Sequence, residues 1–158
     1  MPKLLISNNL IGEDFYWHFE LWQHLRTVKM LNLYLYAYCH RQGSMTTRKN
    51  LFIPYIDYDK VFSYWKERCL QGCVNDKGIL AYLANVWVNR GYHYYALKVE
   101  DKPKALKFLQ KYSDLLDHAS TPWTKFVAVL VSVMGVKNST IFLGYYWRLR
   151  NIIKGNVI

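Results

Sequence analysis

Residues 76–118 read DKGILAYLANVWVNRGYHYYALKVEDKPKALKFLQKYSDLLDH, and this stretch decides the fold. Ile79, Leu80, Leu83, Val86, Trp87 and Tyr94 fall at helical spacing, which predicts a helix over Gly78–Val99 with Asp76 as its cap. A second stripe, Ala105, Leu106, Leu109, Tyr112, Leu115 and Leu116, predicts a helix over Lys102–Asp117. Asp101 is its expected cap, and Pro103 stands in the first turn, where a missing N–H does no harm. The short acidic-basic connection between them makes the pair an antiparallel hairpin. Gly91 interrupts the first helix at a cost of about 1 kcal/mol relative to Ala, a substitution that lets another helix approach closely.

The same reading extends to the flanks. Residues 1–12 look irregular. Asp14 caps a long helix running to about Arg41, and Gly43 ends it. Residues 42–57 form a long connection in which Leu51–Pro54 reads as extended, because the residue before proline avoids the helical region. Asp57 then caps a helix from Tyr58 to about Leu70. Thr121 and Pro122 give a cap-then-proline start for a helix from about Trp123 to Met134, and Gly135 ends it. Asn138 or Ser139 caps a last helix, from Thr140 to about Ile153. The fold class is therefore all-α, with antiparallel helical hairpins forming a small bundle or short solenoid in one domain over residues 1–158.

The apolar run Phe126–Val136 is too short to span a bilayer, and extending it to Trp147 would place Lys137 near mid-membrane. The expectation is no transmembrane span and a buried core helix, with peripheral membrane contact left open. The N-terminal residues resemble neither a secretory signal nor a transit peptide.

Trp87, Gly91 and Tyr94 have the spacing of the first helix of a tetratricopeptide repeat, and Lys-Ala-Leu-Lys-Phe-Leu after Pro103 is similar to its second helix. The resemblance covers residues 81–118. Ala105 arrives two residues late, and Tyr112 stands where a second small residue is usual. The resemblance implies a helical hairpin. Composition also resembles that of proteins encoded in the mitochondrial genomes of protists, ciliates especially: 14 Tyr and 6 Trp in 158 residues, with Asn and Lys enrichment. Such proteins include subunits of mitochondrial ribosomes and respiratory complexes, so this likeness implies an assembly subunit on the matrix side of mitochondria.

The formal net charge is +10, from 21 basic and 11 acidic residues. This excess favours an anionic partner, whether nucleic acid, acidic protein or anionic lipid. Three groups carry it: Arg48 and Lys49 after Arg41; Lys104, Lys107 and Lys111 with Lys98 and Lys102; and Arg148, Arg150 and Lys154 beside Tyr145, Tyr146 and Trp147. Lys and Arg meet phosphates while aromatic rings stack on unpaired bases, which makes these the candidate RNA contacts. The plainer reading of each is a solvated helix face.

Catalytic signals are weak. Cys39, His40, Cys69 and Cys73 could supply the four ligands of a structural zinc site, against the plainer reading of buried cysteines near helix ends. His93 lies in a Tyr cluster with no nominated acid or nucleophile. The carboxylate pairs Glu13/Asp14 and Glu100/Asp101 sit where caps and helix dipoles explain them. No Gly-rich phosphate loop or nucleophile elbow occurs. The expected function is a non-catalytic structural subunit without a cofactor. Its expected setting is a mitochondrial ribosome, with rRNA and protein subunits as partners. The alternative is a protein-interaction module or matrix-side accessory subunit of a respiratory-chain complex.

Overall fold

The computed structural model describes residues 52–72 and 77–153, together with His18, Phe19, Leu21, His24, Thr27 and Lys29. The chain divides into two compact units, Met1–Val61 and Phe62–Ile158. Four α-helices order the described residues: α1 Ile53–Leu70, α2 Lys77–Tyr94, α3 Lys102–Lys111 and α4 Pro122–Ile153. A 3-10 helix, Ser113–His118, lies between α3 and α4, and no strand occurs among the described residues. The all-α class expected from periodicity is the observed one.

In the first unit, His18, Phe19, Leu21 and His24 are helical and Phe19 is buried. Thr27 and Lys29 are not helical, so an unbroken helix from Asp14 to Arg41 is not formed. Thr27 is β-branched and loses χ1 freedom in a helix, which weakens it there. The start of α1 also departs from expectation. The helix begins at Ile53, not Tyr58, and Asp57 is a buried residue inside it instead of its cap. Pro54 falls in the first turn, where its fixed φ suits the helix and no N–H is needed.

In the second unit, α2 turns Ile79, Leu80, Leu83, Ala84, Trp87, Val88, Gly91 and Tyr94 inward at steps of one, three and four. Trp87 is fully buried, and its Nε1 donates to the carbonyl of Leu109 at 2.9 Å. That bond ties α2 to α3 and satisfies the indole's polar handle. The helix ends at Tyr94, five residues before the expected Val99. The amides of Ala96 and Leu97 bond back to His93 and Tyr94, tightening the chain into a turn that buries Leu97 and leaves Val99 exposed.

Asp101 does not cap α3 with its side chain. Its backbone is αR (φ −88°, ψ −23°) and not the extended form a capping residue takes, and Pro103 removes one of the two amides a cap accepts from. α3 stops at Lys111, where Tyr112 leaves helical geometry (φ −115°, ψ 16°). The 3-10 turn that follows buries Leu115 and Leu116, so the expected apolar stripe continues through a tighter helix. Phe62, Phe108 and Tyr112 form an aromatic triangle with centroids 5.1–5.3 Å apart. Their packing joins the end of α1 that lies in this unit to α3.

The start of α4 is as read from sequence. Thr121 Oγ1 accepts from the Thr124 amide at 3.1 Å, and Thr124 Oγ1 accepts from the Thr121 amide at the same distance. This is a reciprocal capping box ahead of Pro122. Gly135 breaks the helix with φ 75° and ψ 164°, leaving arms 122–134 and 136–153. The second arm starts directly after the break and not at Thr140. Ser139 Oγ lies within hydrogen-bond distance of the Leu130 and Gly135 carbonyls, and Asn138 Nδ2 donates to Met134 O. These side chains bond carbonyls at and before the break instead of capping amides.

That backbone region belongs almost wholly to glycine. Gly135→Ala should therefore destabilise the chain by about 1–2 kcal/mol in denaturant unfolding, although nothing lies within 4 Å of the added Cβ.

α2 packs most extensively against α4. Gly91 faces α4: a Cβ there would stand 3.0 Å from Leu143 Cδ1 and 3.7 Å from Thr140 Cγ2. Gly144 makes an even closer approach, onto Tyr95. Along α4, Thr124, Val127, Ser139, Thr140, Leu143 and Gly144 are buried. The opposite side is not. Phe126, Val129 and Val133 are 46%, 61% and 78% exposed, so the run 126–136 is not the buried core helix expected from its composition. Apolar composition on every side of a helix cannot say which side meets the core and which meets a partner.

Candidate functional site

The described candidate residues fall on two surfaces of the second unit. On α3, Lys104, Lys107 and Lys111 follow at three- and four-residue steps and are exposed. On the second arm of α4, Arg148 and Arg150 are exposed, Tyr146 is 37% exposed and Trp147 is half-buried. Arg48, Lys49 and Lys154 lie outside the described residues, as do Cys39, His40 and Cys73 of the possible zinc set. Cys69 is described and half-buried near the end of α1. No group of three or more metal-ligating side chains occurs among the described residues.

The aromatic side chains of the C-terminal arm are partly engaged with the body. Tyr146 stacks on Trp123 (4.8 Å, 29°), which also stacks on Phe126 (5.4 Å, 29°). Trp123 Nε1 donates to Tyr92 Oη. Burial pushes the Tyr92 phenol up, partly offset by the Trp123 bond, while Tyr146 adds to the rise and Arg150 opposes it. Trp147 meets His93 edge-on at 5.5 Å. These contacts order Arg148 and Arg150 on a rigid arm and leave one face of Tyr146 away from Trp123.

One connection joins the two basic surfaces. Lys102 Nζ lies 5.5 Å from the centre of the Tyr95 ring, and Tyr95 packs on Tyr145 at 5.0 Å. A hydrogen bond that the Tyr145 hydroxyl donates to Tyr95, and then the charge of the Tyr95 phenol, raise the Tyr145 phenol, while Arg148 acts the other way. Lys102, Tyr95, Tyr145 and Arg148 thus form a continuous polar-aromatic strip. Tyr95 was not among the candidate contacts; Tyr145 was grouped with Arg148 from sequence.

His93 is held neutral. Burial, followed by the charge of Arg90, lowers its pKa from 6.5 to about 4. In the unfolded chain the imidazole takes a proton near pH 6.5, but in the native chain it resists until about pH 4. Stability is therefore unaffected by this group above pH 7 and falls as pH drops from 6.5 toward 4. Thermal unfolding across that window should show this loss, and His93→Gln should flatten it.

A shallow groove of about 450 Å³ is lined by Ser63, Lys66, Glu67, Leu70, Gln71, Lys111 and Tyr112. Ser63 Oγ and Tyr112 Oη share a hydrogen bond of 2.5 Å, and Lys111 Nζ stands 3.4 Å from Ser63 Oγ. A serine–lysine nucleophile needs a desolvated, neutral amine. Lys111 is exposed and its ammonium sits 4.8 Å from the centre of the Tyr112 ring. Lys66 pairs with Asp114 at 2.5 Å beside the groove.

The longest feature of the surface is α4 itself. By length and composition Pro122–Ile153 could cross a membrane, and only 22% of its most apolar stretch is buried. Against a span stand the non-helical Gly135, the charge of Lys137 and an inner side packed on α2. Comparisons with protein-family models, curated proteins and solved structures find no match to this chain.

Proposed function

We propose that this chain is a non-catalytic structural subunit of a large assembly, a mitochondrial ribosome. In this reading Lys104, Lys107, Arg148 and Arg150 meet rRNA phosphates, and the outer side of α4 meets neighbouring protein subunits. One observation carries the reading. α4 packs one side on α2 yet leaves Phe126, Val129, Val133, Phe142, Tyr145, Leu149, Ile152 and Ile153 between 41% and 83% exposed. Exposed large apolar side chains gathered along one helix in this way mark an interaction site. The basic, aromatic composition and its likeness to mitochondrially encoded assembly subunits supply the ribosome and the matrix side.

The second reading is a matrix-side accessory subunit of a respiratory-chain complex. The length and apolar character of α4 favour it. Gradient sedimentation of native lysate, with and without ribonuclease, separates the two. A ribosomal subunit travels with a large particle that collapses on ribonuclease treatment. A respiratory subunit travels with a particle indifferent to ribonuclease and released by detergent. A free monomer under all conditions contradicts both.

A further inference from the structure

Asn138, Phe142, Tyr145, Leu149 and Ile152 follow one another at alternating four- and three-residue steps along the second arm of α4. Such steps keep residues on one side of a helix, as in the seam of a coiled coil. Phe142, Tyr145, Leu149 and Ile152 are 41%, 51%, 60% and 63% exposed, so the seam is formed but uncovered. Arg148 and Arg150 precede and follow Leu149. Adjacent helical residues are turned about 100° apart, so the two arginines stand on opposite sides of Leu149, with Arg150 toward the side that carries buried Leu143. Both are exposed. No Asp or Glu follows Asp117 in the sequence, so nothing on α4 offsets these charges.

We infer that this seam seats an amphipathic helix of a neighbouring protein subunit, apolar at its a and d positions and carrying Asp or Glu on its flanks. The inference rests on the proposed role as an assembly subunit, names the chemistry of one neighbour, and gives Arg148 and Arg150 to that neighbour, which leaves the phosphate contacts to Lys104 and Lys107. Charge complementarity selects the occupant. A second copy laid on the same seam would bring two further arginines to it and no carboxylate, because α4 carries no acidic side chain. A bilayer fits less well. The stripe opens on exposed Asn138 beside exposed Lys137, which confines its apolar part to residues 142–153. That is about three helical turns, enough for a partner helix but a short apolar plane for a lipid surface.

The test uses the purified full chain and three probes. The first is a fluorescently labelled 21-residue peptide, about three heptads, with Leu at a and d and Glu at e and g. The second has Lys in place of Glu, and the third is vesicles of phosphatidylcholine with phosphatidylglycerol. The acidic peptide should bind, and the basic one should bind at least tenfold more weakly. Leu149→Asp should weaken the acidic peptide at least tenfold with an unchanged circular-dichroism spectrum. The double variant Arg148→Glu/Arg150→Glu should reverse the preference toward the basic peptide, an effect that misfolding would not produce. Vesicle binding without peptide binding, equal binding of both peptides, or binding of neither overturns the inference. Any of these can occur while the chain still sediments with a large particle, so the seam and the subunit role fail separately.

Discussion

Trp87→Ala should destabilise the second unit by about 3–5 kcal/mol, the range for emptying a fully buried large aromatic site. The side chain is 0% exposed and stands between α2 and α3, where its Nε1 donates to Leu109 O at 2.9 Å. Removing it opens a cavity and leaves a buried carbonyl without its donor. Trp87→Phe separates the two costs. It retains most of the apolar volume and loses only the hydrogen bond, for an expected loss of about 1–2 kcal/mol. Urea unfolding followed by circular dichroism measures both. Equal losses for the two variants would show that the hydrogen bond, and not the packing, dominates at this site.

Gly144→Ala should be the most damaging of the glycine changes, at about 3 kcal/mol. The added Cβ would lie 2.4 Å from Tyr95 Cβ, 3.1 Å from Tyr95 Cγ and 3.7 Å from its Cα. Those atoms are the root of the side chain and the backbone, so no rotamer change removes the clash. The second arm of α4 has to move off the turn after α2, and the Tyr95–Tyr145 contact opens with it. Gly91→Ala is the control. Its Cβ meets the terminal Leu143 Cδ1 at 3.0 Å, which can swing aside, and a helix gains about 1 kcal/mol from Ala over Gly. The expected net change at Gly91 is close to zero. Comparable losses at the two positions would contradict the close approach described at Gly144.

Local signals with a fixed mechanism were legible in the sequence. Thr121 with Pro122 marks the start of α4 because a hydroxyl acceptor and a residue lacking an amide both suit that position. Gly135 marks its break because that conformation belongs to glycine. Signals needing knowledge of neighbouring geometry were read less well. Asp101 has the right identity for a cap, but its backbone is αR and Pro103 removes one of the two donor amides. Pro54 looks like an extended-chain residue until it is placed in the first turn of α1. The hairpin over 81–118 was legible as two helices. That Gly91 serves α4 was not, because spacing within one helix does not identify the helix that approaches it.

The candidate site divides along the same line. Exposure of Lys104, Lys107, Arg148 and Arg150 follows from charge alone. The engagement of Tyr146 with Trp123 and of Trp147 with His93 depends on tertiary contacts 23 and 54 residues apart in sequence. The outward side of α4 was hidden by its composition, since Phe126, Val129 and Val133 suit a core as well as an interface.

The most direct measurement is gradient sedimentation of native lysate in which the chain is replaced by Leu149→Asp/Ile152→Asp. Both residues are already solvent-exposed, so the fold should persist by circular dichroism of the purified variant. If the outer side of α4 holds the chain in an assembly, the wild-type chain sediments with a large particle and the folded variant remains at the top of the gradient. A wild-type chain that never leaves the top, or a variant that still travels with the particle, contradicts that role.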